Sequence, residues 1–345
     1  MTERKRKRGK MLLLLLAAVI APFVGIAVGS VGVSPGELVG IMEHKLFGMV
    51  LPERISSVTV SIVWSIRMPR AVMAFLVGAS LAASGAVMQS VLRNPLASSY
   101  TLGVSSGASL LASMVIVSGF TLPVIGRYTL PFLGFVGGLL MVLGVMVIST
   151  QFDRAMENHT VILVGMTLSL FVNAMLTIVT ALSSERLAQL VFWQMGSFAG
   201  QTWEGCGMVL IVLTAGMLVL MGNVREMDLM TFGEAQALSV GVEFRKVKLI
   251  LIGIAALMTG TAVSMAGVIG FVDLVAPHMA RRIFGSGHRW VVPMSAALGG
   301  MLMVIADMIG RTVLSPQELP VGAVTALIGA PFFALIYLRR RREGV

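Results

Sequence analysis

Residues that could do chemistry are sparse in this sequence and form no recognisable catalytic set. The four histidines are scattered along the chain, and Cys206 is the single cysteine. The sequence contains neither a GxxxxGK[ST] phosphate-binding loop nor an HExxH pair. These absences disfavour ATP hydrolysis by a P-loop, a metal site built from clustered ligands and an internal disulfide. We therefore predict that the chain is not an enzyme and that it binds no metal or cofactor of its own.

Asp273 and Asp307 are the ionisable candidates that lie deepest within apolar segments. Carboxylates in such positions relay protons or bind sodium in secondary transporters. An ion-coupled carrier is therefore one function to weigh, although two candidates support it only weakly. Asp307 has a simpler explanation, because Arg311 follows it at i,i+4 and the two can pair on one helix face. Arg311 can also present a donor outward.

Arg67 and Arg70 belong to the motif IRMPR, immediately before a long apolar segment. Two arginines in this position can anchor a helix end by extending toward water. They can also form a docking site for an external acidic partner. In that case Pro69, at the start of the helix, would hold both guanidinium groups in place. The residues alone leave both interpretations open.

The elements that carry these residues are those of a membrane protein. The chain has 345 residues, of which 57% are hydrophobic and 12% are charged, and its mean hydropathy is +0.92. A soluble domain is nearer one quarter charged. The composition therefore excludes a soluble enzyme, a disordered regulator and a collagen-like fibre. The formal net charge of +10 is not a signal for nucleic acid here, because the placement of the charges matters more than their sum.

Nine apolar windows approach the length of about 20 residues that a helix needs to cross a bilayer. They are residues 11–30, 71–92, 100–119, 130–150, 160–182, 205–222, 247–267, 290–314 and 319–338. A tenth window, residues 268–280, is short and contains Asp273 and Pro277. The windows are rich in small residues, as in Gly103-x-x-x-Gly107, Gly134-x-x-x-Gly138 and the run GASLAASGA. Small residues let helices approach closely in lipid, which predicts a tight bundle.

The charged tails decide the number of crossings. The N-terminal tail reads ERKRKRGK and the C-terminal tail reads RRRREGV. The positive-inside rule puts both in the cytoplasm, which requires an even number, so we count residues 268–280 as a short or broken tenth span. The N-terminus also resembles a signal peptide, but its apolar run is long for one. We predict one all-α polytopic domain over residues 1–345 in the cell membrane, with cytoplasmic tails at residues 1–10 and 339–345.

A long polar loop, residues 223–246, separates the sixth and seventh windows. Residues 233–240 contain an amphipathic turn or two, which Gly241 can end in the left-handed conformation. The segment is either an ordinary solvated loop or a short cytoplasmic helix of the kind that a membrane subunit inserts into a motor protein.

Several long motifs, in order, give the chain a strong resemblance to the FecCD-type permeases, the membrane subunits of ABC importers for ferric siderophores, haem and cobalamin. The motifs are IRMPRAVMAFLVGASLAASGAVMQSVLRNPLASSYTLGVSSGASL, WQMGSFAG, FGEAQALSVGV, GFVDLVAPHMARRIFGSGHR and ADMIGRTVLSPQELPVGAVTALIGAPFF. The resemblance extends over nearly the whole chain. It implies the type II ABC importer permease fold with ten spans and two permease subunits around a central path. It also implies two cytoplasmic ATPases that use ATP and an extracytoplasmic substrate-binding protein.

The resemblance also implies roles for individual residues. The residues expected to dock the binding protein are Arg67, Arg70 and Arg311. The residues expected to contact the ATPase are Glu234, Ala235, Gln236, Ala237 and Gly241. The residues expected to form the cytoplasmic gate are Asn94, Leu96, Asn158 and His159. Asp273 departs from the family, which usually has a small neutral residue there. It is expected to face the path, to pair with a basic residue or to lie at the wet outer end.

The sequence predicts an importer permease with an iron(III)–siderophore as its cargo, and haem or cobalamin as alternatives. An ion-coupled secondary transporter is the alternative from another class, and a membrane-embedded enzyme is disfavoured. A homodimer is the simpler assembly, but a pair of related permeases fits as well. Either assembly would work by alternating access, with ATP binding and hydrolysis in the partner subunits moving the coupling helices.

Overall fold

The computed structural model of the chain describes residues 2–29, 32–52, 54–153, 156–233 and 243–342. Every regular element in these ranges is a helix, so the predicted all-α fold class is confirmed. A helix satisfies its own backbone hydrogen bonds within one segment, which lipid cannot do for it. The long apolar windows of the sequence fold in this way for that reason.

The N-terminal part of the chain forms four helices. Helix α1 spans Thr2–Ala27, α2 spans Pro35–Phe47, α3 spans Ser57–Ser61 and α4 spans Met68–Val91. A π-helical turn at Ile62–Arg67 joins α3 to α4. Helix α2 begins with a capping box between Ser34 and Glu37 and ends at Gly48 in the left-handed conformation. Both are ordinary helix-end signals.

Ten further helices follow. They are α5 (Val104–Ser118), α6 (Thr129–Phe152), α7 (Asn158–Ala181), α8 (Leu187–Met195), α9 (Trp203–Gly222), α10 (Val224–Met230), α11 (Phe244–Ala266), α12 (Val272–Phe284), α13 (His288–Thr312) and α14 (Val321–Arg342). Each of the ten predicted windows coincides with one helix of the described chain, namely α1, α4–α7, α9 and α11–α14. Helices α2, α3, α8 and α10 are short and fall outside those windows.

The helices differ in how readily they could cross a membrane. Seven helical segments of the described chain are long and apolar enough to do so by length and composition, whereas Val104–Ser118 and Val321–Leu335 are shorter apolar helices. Helix α12 has only 13 residues. It begins at Val272 rather than at residue 268, because residues 267–270 are not helical and Phe271 has a positive φ of 69°. The tenth window is thus helical only in part, and its role as a tenth crossing stays a prediction.

Helix α4 forms the centre of the bundle. It packs against α13, α11, α12, α9 and α1, and nearly all of its residues are buried. A helix covered on all sides needs small or apolar residues around its whole circumference. The run GASLAASGA supplies them.

Two glycines of α4 allow backbones to touch. A Cβ on Gly78 would overlap the carbonyl oxygen of Gly299 in α13, and one on Gly85 would overlap that of Asp273 in α12. In the same way Gly107 of α5 packs on the backbone of Gly137 in α6. Both predicted glycine motifs therefore supply a contact between α5 and α6. Gly107 meets Gly137 rather than Gly134, and a Cβ on Gly138 would lie 3.1 Å from the carbonyl oxygen of Val104.

The periphery is formed by helices with large exposed apolar faces. On α1, Leu12 and Leu13 are 70% and 68% exposed. On α7, Leu163 and Leu170 are similarly exposed. Such surfaces need lipid or another subunit as a neighbour.

We expect Gly78→Ala to destabilise the bundle by about 1–3 kcal/mol, since the added methyl group must push α4 away from α13. The measurement is the unfolding midpoint of the purified chain in detergent. Gly253→Ala in α11 is the matched control, because a Cβ there meets nothing within 4 Å and alanine is the better helix former. Equal midpoints for the two variants would contradict the close contact between α4 and α13.

Candidate functional site

Arg70 is the centre of a charged cluster where the start of α4 meets the end of α13. Its guanidinium group donates to both carboxylate oxygens of Asp307, over 2.8–3.1 Å. It also donates to both oxygens of Glu318, at 2.8 and 3.0 Å. The Asp307 side chain is only 3% exposed and that of Glu318 is 45% exposed. Burial of a carboxylate is tolerated here because a bidentate arginine partner is present.

The two other predicted docking arginines belong to the same cluster. Arg311 Nε lies 3.5 Å from Asp307 Oδ2, and its Nη2 donates to the backbone of Gly25 in α1. Arg67 donates to the carbonyl oxygen of Ile26 at 3.3 Å. Three guanidinium groups thus face two carboxylates, and the cluster keeps a positive charge. The predicted pair of Asp307 and Arg311 forms, but Arg70 is the stronger partner of Asp307.

The cluster is turned inward. Arg67 is 7% exposed as a residue, and the side chains of Arg70 and Arg311 are 12% and 10% exposed. Glu318, in the connection after α13, is its most accessible charge. The hydrogen bonds from Arg70 lower the pKa of Glu318, so this carboxylate stays ionised. Docking by these arginines stays a prediction, and it would require a partner carboxylate to compete with Glu318.

Asp273 lies at the start of α12, covered by the loop that follows α4. Ser98 Oγ donates to its carboxylate, while the other carboxylate oxygen has no hydrogen-bond partner among the described residues. Gln89 Nε2 donates to the Asp273 carbonyl oxygen at 3.2 Å. The residue is 3% exposed. Two of its expected positions, at a wet end or in an ion pair, are therefore wrong for the described chain.

The predicted gate residues occupy two separate places. The Asn94 side chain accepts a hydrogen bond from the backbone of Leu96 at 2.9 Å, and Leu96 is 60% exposed. Asn158, at the start of α7, accepts one from Lys248 Nζ of α11 at 2.7 Å. His159 is exposed and lies 2.9 Å from Glu157. No recorded contact joins the two places, and their role as a gate stays a prediction.

A buried network near α10 was not predicted from the sequence. His288, at the start of α13, donates from Nδ1 to Asp228 of α10 at 2.6 Å, and its other ring nitrogen lies on Ser90 Oγ of α4. Asp228 also accepts from the His288 backbone at 2.9 Å, so it caps α13 from another helix. His288 is 1% exposed. The sequence offers no local signal for this group, because 60 residues separate Asp228 from His288.

The same network continues into the broken helix. Arg281 of α12 donates to Gln89 and, at 3.3 Å, to Ser90 of α4. Gln89 in turn holds the backbone of Asp273. Helices α10, α13, α4 and α12 are therefore connected by one chain of hydrogen bonds. These hydrogen bonds connect α10 to α4 at the centre of the bundle.

The residues predicted to contact an ATPase lie next to this network in the chain. Glu234, Ala235, Gln236, Ala237 and Gly241 fall outside the described residues, so their role stays a prediction. These residues follow Gly233, which lies three residues after the end of α10 at Met230. The segment therefore begins within a few residues of Asp228.

A groove of about 540 Å³ runs along the outside of α7 and α8. Its polar members include Asn173, Thr177 and Thr180 of α7, spaced so that they share one helix face, and Gln194 of α8. Leu187 and Val191 supply an apolar wall. An exposed amide on an apolar helix is costly against lipid. This face is better suited to water, cargo or a second subunit.

Within the part of the chain that the structure describes, no group of three or more His, Cys, Asp or Glu side chains is arranged to hold a metal ion. Asp307 lies in the arginine cluster, whereas His288 and the backbone of Asp273 belong to the network that Ser90, Gln89 and Arg281 form. In these clusters the charged side chains connect helices to one another.

The chain is similar to transport permeases along its whole length. It is 39% identical to an uncharacterised ABC transporter permease, YvrB of Bacillus subtilis, over 94% of this chain and 92% of the relative. It is also 39% identical to the cobalamin import permease BtuC of Halobacterium salinarum, over 82% of this chain and 74% of the relative.

A solved ABC transporter assigned to the metal-chelate type, in an inward-facing conformation, has the same fold. The two superpose with a TM-score of 0.82 at 27% sequence identity, and the superposition covers 96% of this chain and 99% of the solved chain. The sequence model of the FecCD transport family matches residues 13–339. This range extends from within α1 to within α14, so the chain is a multi-span membrane permease and belongs to the FecCD transport family.

Proposed function

We propose that this chain is the membrane-spanning permease subunit of a binding-protein-dependent ABC importer, and that it moves its cargo inward by alternating access. The observation that carries the proposal is the family match over residues 13–339, which extends from α1 to α14. A match of this length includes the spans and the connections between them. It therefore supports a shared mode of transport rather than a shared fragment.

The proposed cargo is an iron(III)–siderophore complex, with haem and cobalamin as alternatives. The relatives support the class of cargo, since one is a cobalamin permease and a solved neighbour is of the metal-chelate type. These compounds are bulky and carry a metal within an organic shell. They suit a wide path with weak polar contacts, because tight contacts would slow release. The amide and hydroxyl groups of the α7–α8 groove are contacts of that weak kind.

The proposed assembly contains two copies of this chain around the path. Its support is the exposure of α7, which presents Asn173 and Thr177 beside Leu170 and Phe171. A two-fold axis beside this face would place it opposite an identical face. Asn173 and Thr177 would then line the path, and Leu170 and Phe171 would meet the second copy or lipid.

In this proposal the energy comes from two partner ATPases that contact the segment after α10. Their movement would reach α13 and α4 through Asp228, His288 and Ser90. This hydrogen-bonded chain supports the proposal because it ties the residues beside the coupling segment to the two most closely packed helices. A two-state bundle needs such a rigid link, since packed interfaces change between discrete arrangements.

The binding protein is proposed to dock at the cluster of Arg67, Arg70 and Arg311. The excess of positive charge in the cluster favours an acidic partner, and charge complementarity mainly affects register and on-rate. Both termini are proposed to be cytoplasmic, which puts this cluster on the outer side. Glu318 then occupies the position that a carboxylate of the binding protein would take.

An ion-coupled secondary transporter remains the second candidate, and Asp273 is the observation that favours it. A buried carboxylate with one unpartnered oxygen can hold a proton or a cation. The importer is the better-supported function, because Asp273 is covered by the loop that contains Ser98.

We expect restoration of this chain to a strain that lacks it to restore energy-dependent uptake of a labelled iron(III)–siderophore. The panel of labelled compounds also includes haem and cobalamin. Uptake of either would identify a different cargo and would leave the importer proposal intact. Uptake that needs a partner ATPase and survives Asp273→Asn would support the importer. Uptake without any ATPase, abolished by Asp273→Asn, would support the ion-coupled carrier instead.

We expect Glu318→Gln to strengthen docking of the cognate binding protein several-fold at low salt, because it removes the negative charge that competes for Arg70. The gain should fade above about 0.5 M salt, where exposed charges are screened. Surface-immobilised binding protein gives the rate constants. Glu185→Gln is the matched control, since it removes an exposed carboxylate that has no recorded arginine partner. Weaker docking, or an equal effect of both variants, would count against the arginine site.

We expect Asp228→Ala to lower the amount of cargo imported per ATP several-fold while ATP hydrolysis by the assembled complex continues. The reason is that His288 loses its link to α10, whereas the half-exposed Asp228 contributes little to the core. Reconstituted vesicles allow both rates to be measured together. Glu43→Ala, at another exposed carboxylate on α2, is the control. A parallel loss of hydrolysis and import would argue for a folding defect and against coupling through this link.

A further inference from the structure

A cavity of about 270 Å³ lies where the first turns of α1 meet the end of α12 and the start of α13. Its lining consists of Lys7, Arg8, Met11, Phe284, Arg289 and Trp290. The cavity is far along the bundle from the arginine cluster of the preceding sections, since that cluster lies at the opposite ends of α1 and α13. It is also separate from the α7–α8 groove.

The upper part of the cavity is positively charged. Lys7, Arg8 and Arg289 have no recorded ion pair with any carboxylate whose side chain the structure describes. The Arg289 guanidinium lies over the ring of its neighbour Trp290, at 5.4 Å from the ring centroid, and this stacking holds it at the rim. Three converging cations of this kind favour an anionic ligand.

The lower part of the cavity is apolar. Phe284 is buried and packs with Ala280 and Met294, and Met11 covers this cluster from α1. Beyond the cavity, Leu12 and Leu16 of α1 continue the apolar surface and are 70% and 57% exposed. A ligand here meets cations at one end and an uncovered hydrocarbon surface at the other.

We propose that this cavity binds the headgroup phosphate of an anionic phospholipid, with the acyl chains lying along α1. Lys7, Arg8 and Arg289 contact the phosphate, and Trp290 lies at the level of the headgroups, where tryptophan is enriched in membrane proteins. Basic pockets between membrane helices are suited to such lipids. A free phosphate or a nucleotide would satisfy the cations but leave the apolar wall unused.

The bound lipid would fasten a loosely held helix. Helix α1 is largely exposed, and at its far end it is held by the bonds that Arg311 and Arg67 make to Gly25 and Ile26. A phosphate shared between Lys7 of α1 and Arg289 of α13 supplies the matching attachment at the near end. This site does not depend on the proposed transport function.

The test is native mass spectrometry of the full-length chain in detergent, titrated with phosphatidylglycerol and with phosphatidylcholine. We expect tighter binding of phosphatidylglycerol, and a loss of roughly five-fold for Arg289→Gln, the size of effect typical of one basic side chain at an anionic surface. Lys7→Gln with Arg8→Gln should lose more. Binding of phosphatidylcholine should not change in any variant.

Arg225→Gln is the matched control, because Arg225 is an exposed arginine on α10 outside the cavity. An equal loss in this variant would overturn the site and leave only a general charge effect. Inorganic phosphate that binds as tightly as phosphatidylglycerol would show that the ligand is not a lipid. A purified ATPase subunit that loses binding with Arg289→Gln, while lipid binding is unchanged, would assign the cavity to a protein partner. Unchanged unfolding midpoints of the lipid-free variants show that the fold is intact.

Discussion

The structure depends first on the close contact between α4 and its neighbours. In lipid, apolar side chains gain little from meeting one another, so helices associate through tight packing and polar contacts. Gly78 and Gly85 bring the α4 backbone directly onto α13 and α12. Because these contacts join backbone to backbone, they fix the distances from which the longer side chains of the same helices must reach their partners.

The charged groups are a second layer built on this packing. A buried charge in a membrane protein is costly unless a partner satisfies it. Asp307 meets that requirement with Arg70 and Arg311, and the cluster joins the ends of α4, α13 and α1. At the other end of α13, Asp228 and Ser90 do the same for His288 by bonding both ring nitrogens. Helix α13 is therefore fastened at both ends to the helix that packs most closely against it.

The sequence predicts the helices well and the partners of their side chains poorly. The ten windows match ten helices because hydropathy over 20 residues reports directly on burial in lipid. The pair of Asp307 and Arg311 was also predictable, since i,i+4 spacing is a local property. Arg70 and Asp307 are 237 residues apart, and no local pattern relates them. The same is true of Asp228 and His288. The motif resemblance assigned Arg67, Arg70 and Arg311 to one site, and their convergence on one cluster is a property that only the fold reveals.

The break before α12 shows how the two layers combine. Irregular backbone at membrane depth is tolerated where protein covers it, and here Tyr100 donates to the Ile269 carbonyl oxygen at 2.7 Å while Gln89 donates to that of Asp273. Both donors come from α4 or from the loop after it. Any motion of α4 therefore changes the hydrogen bonding of the break, and through Arg281 it is coupled to His288 and α10. The unpartnered oxygen of Asp273 lies at this junction, where a second arrangement of Ser98 and its neighbours would find an acceptor already in position.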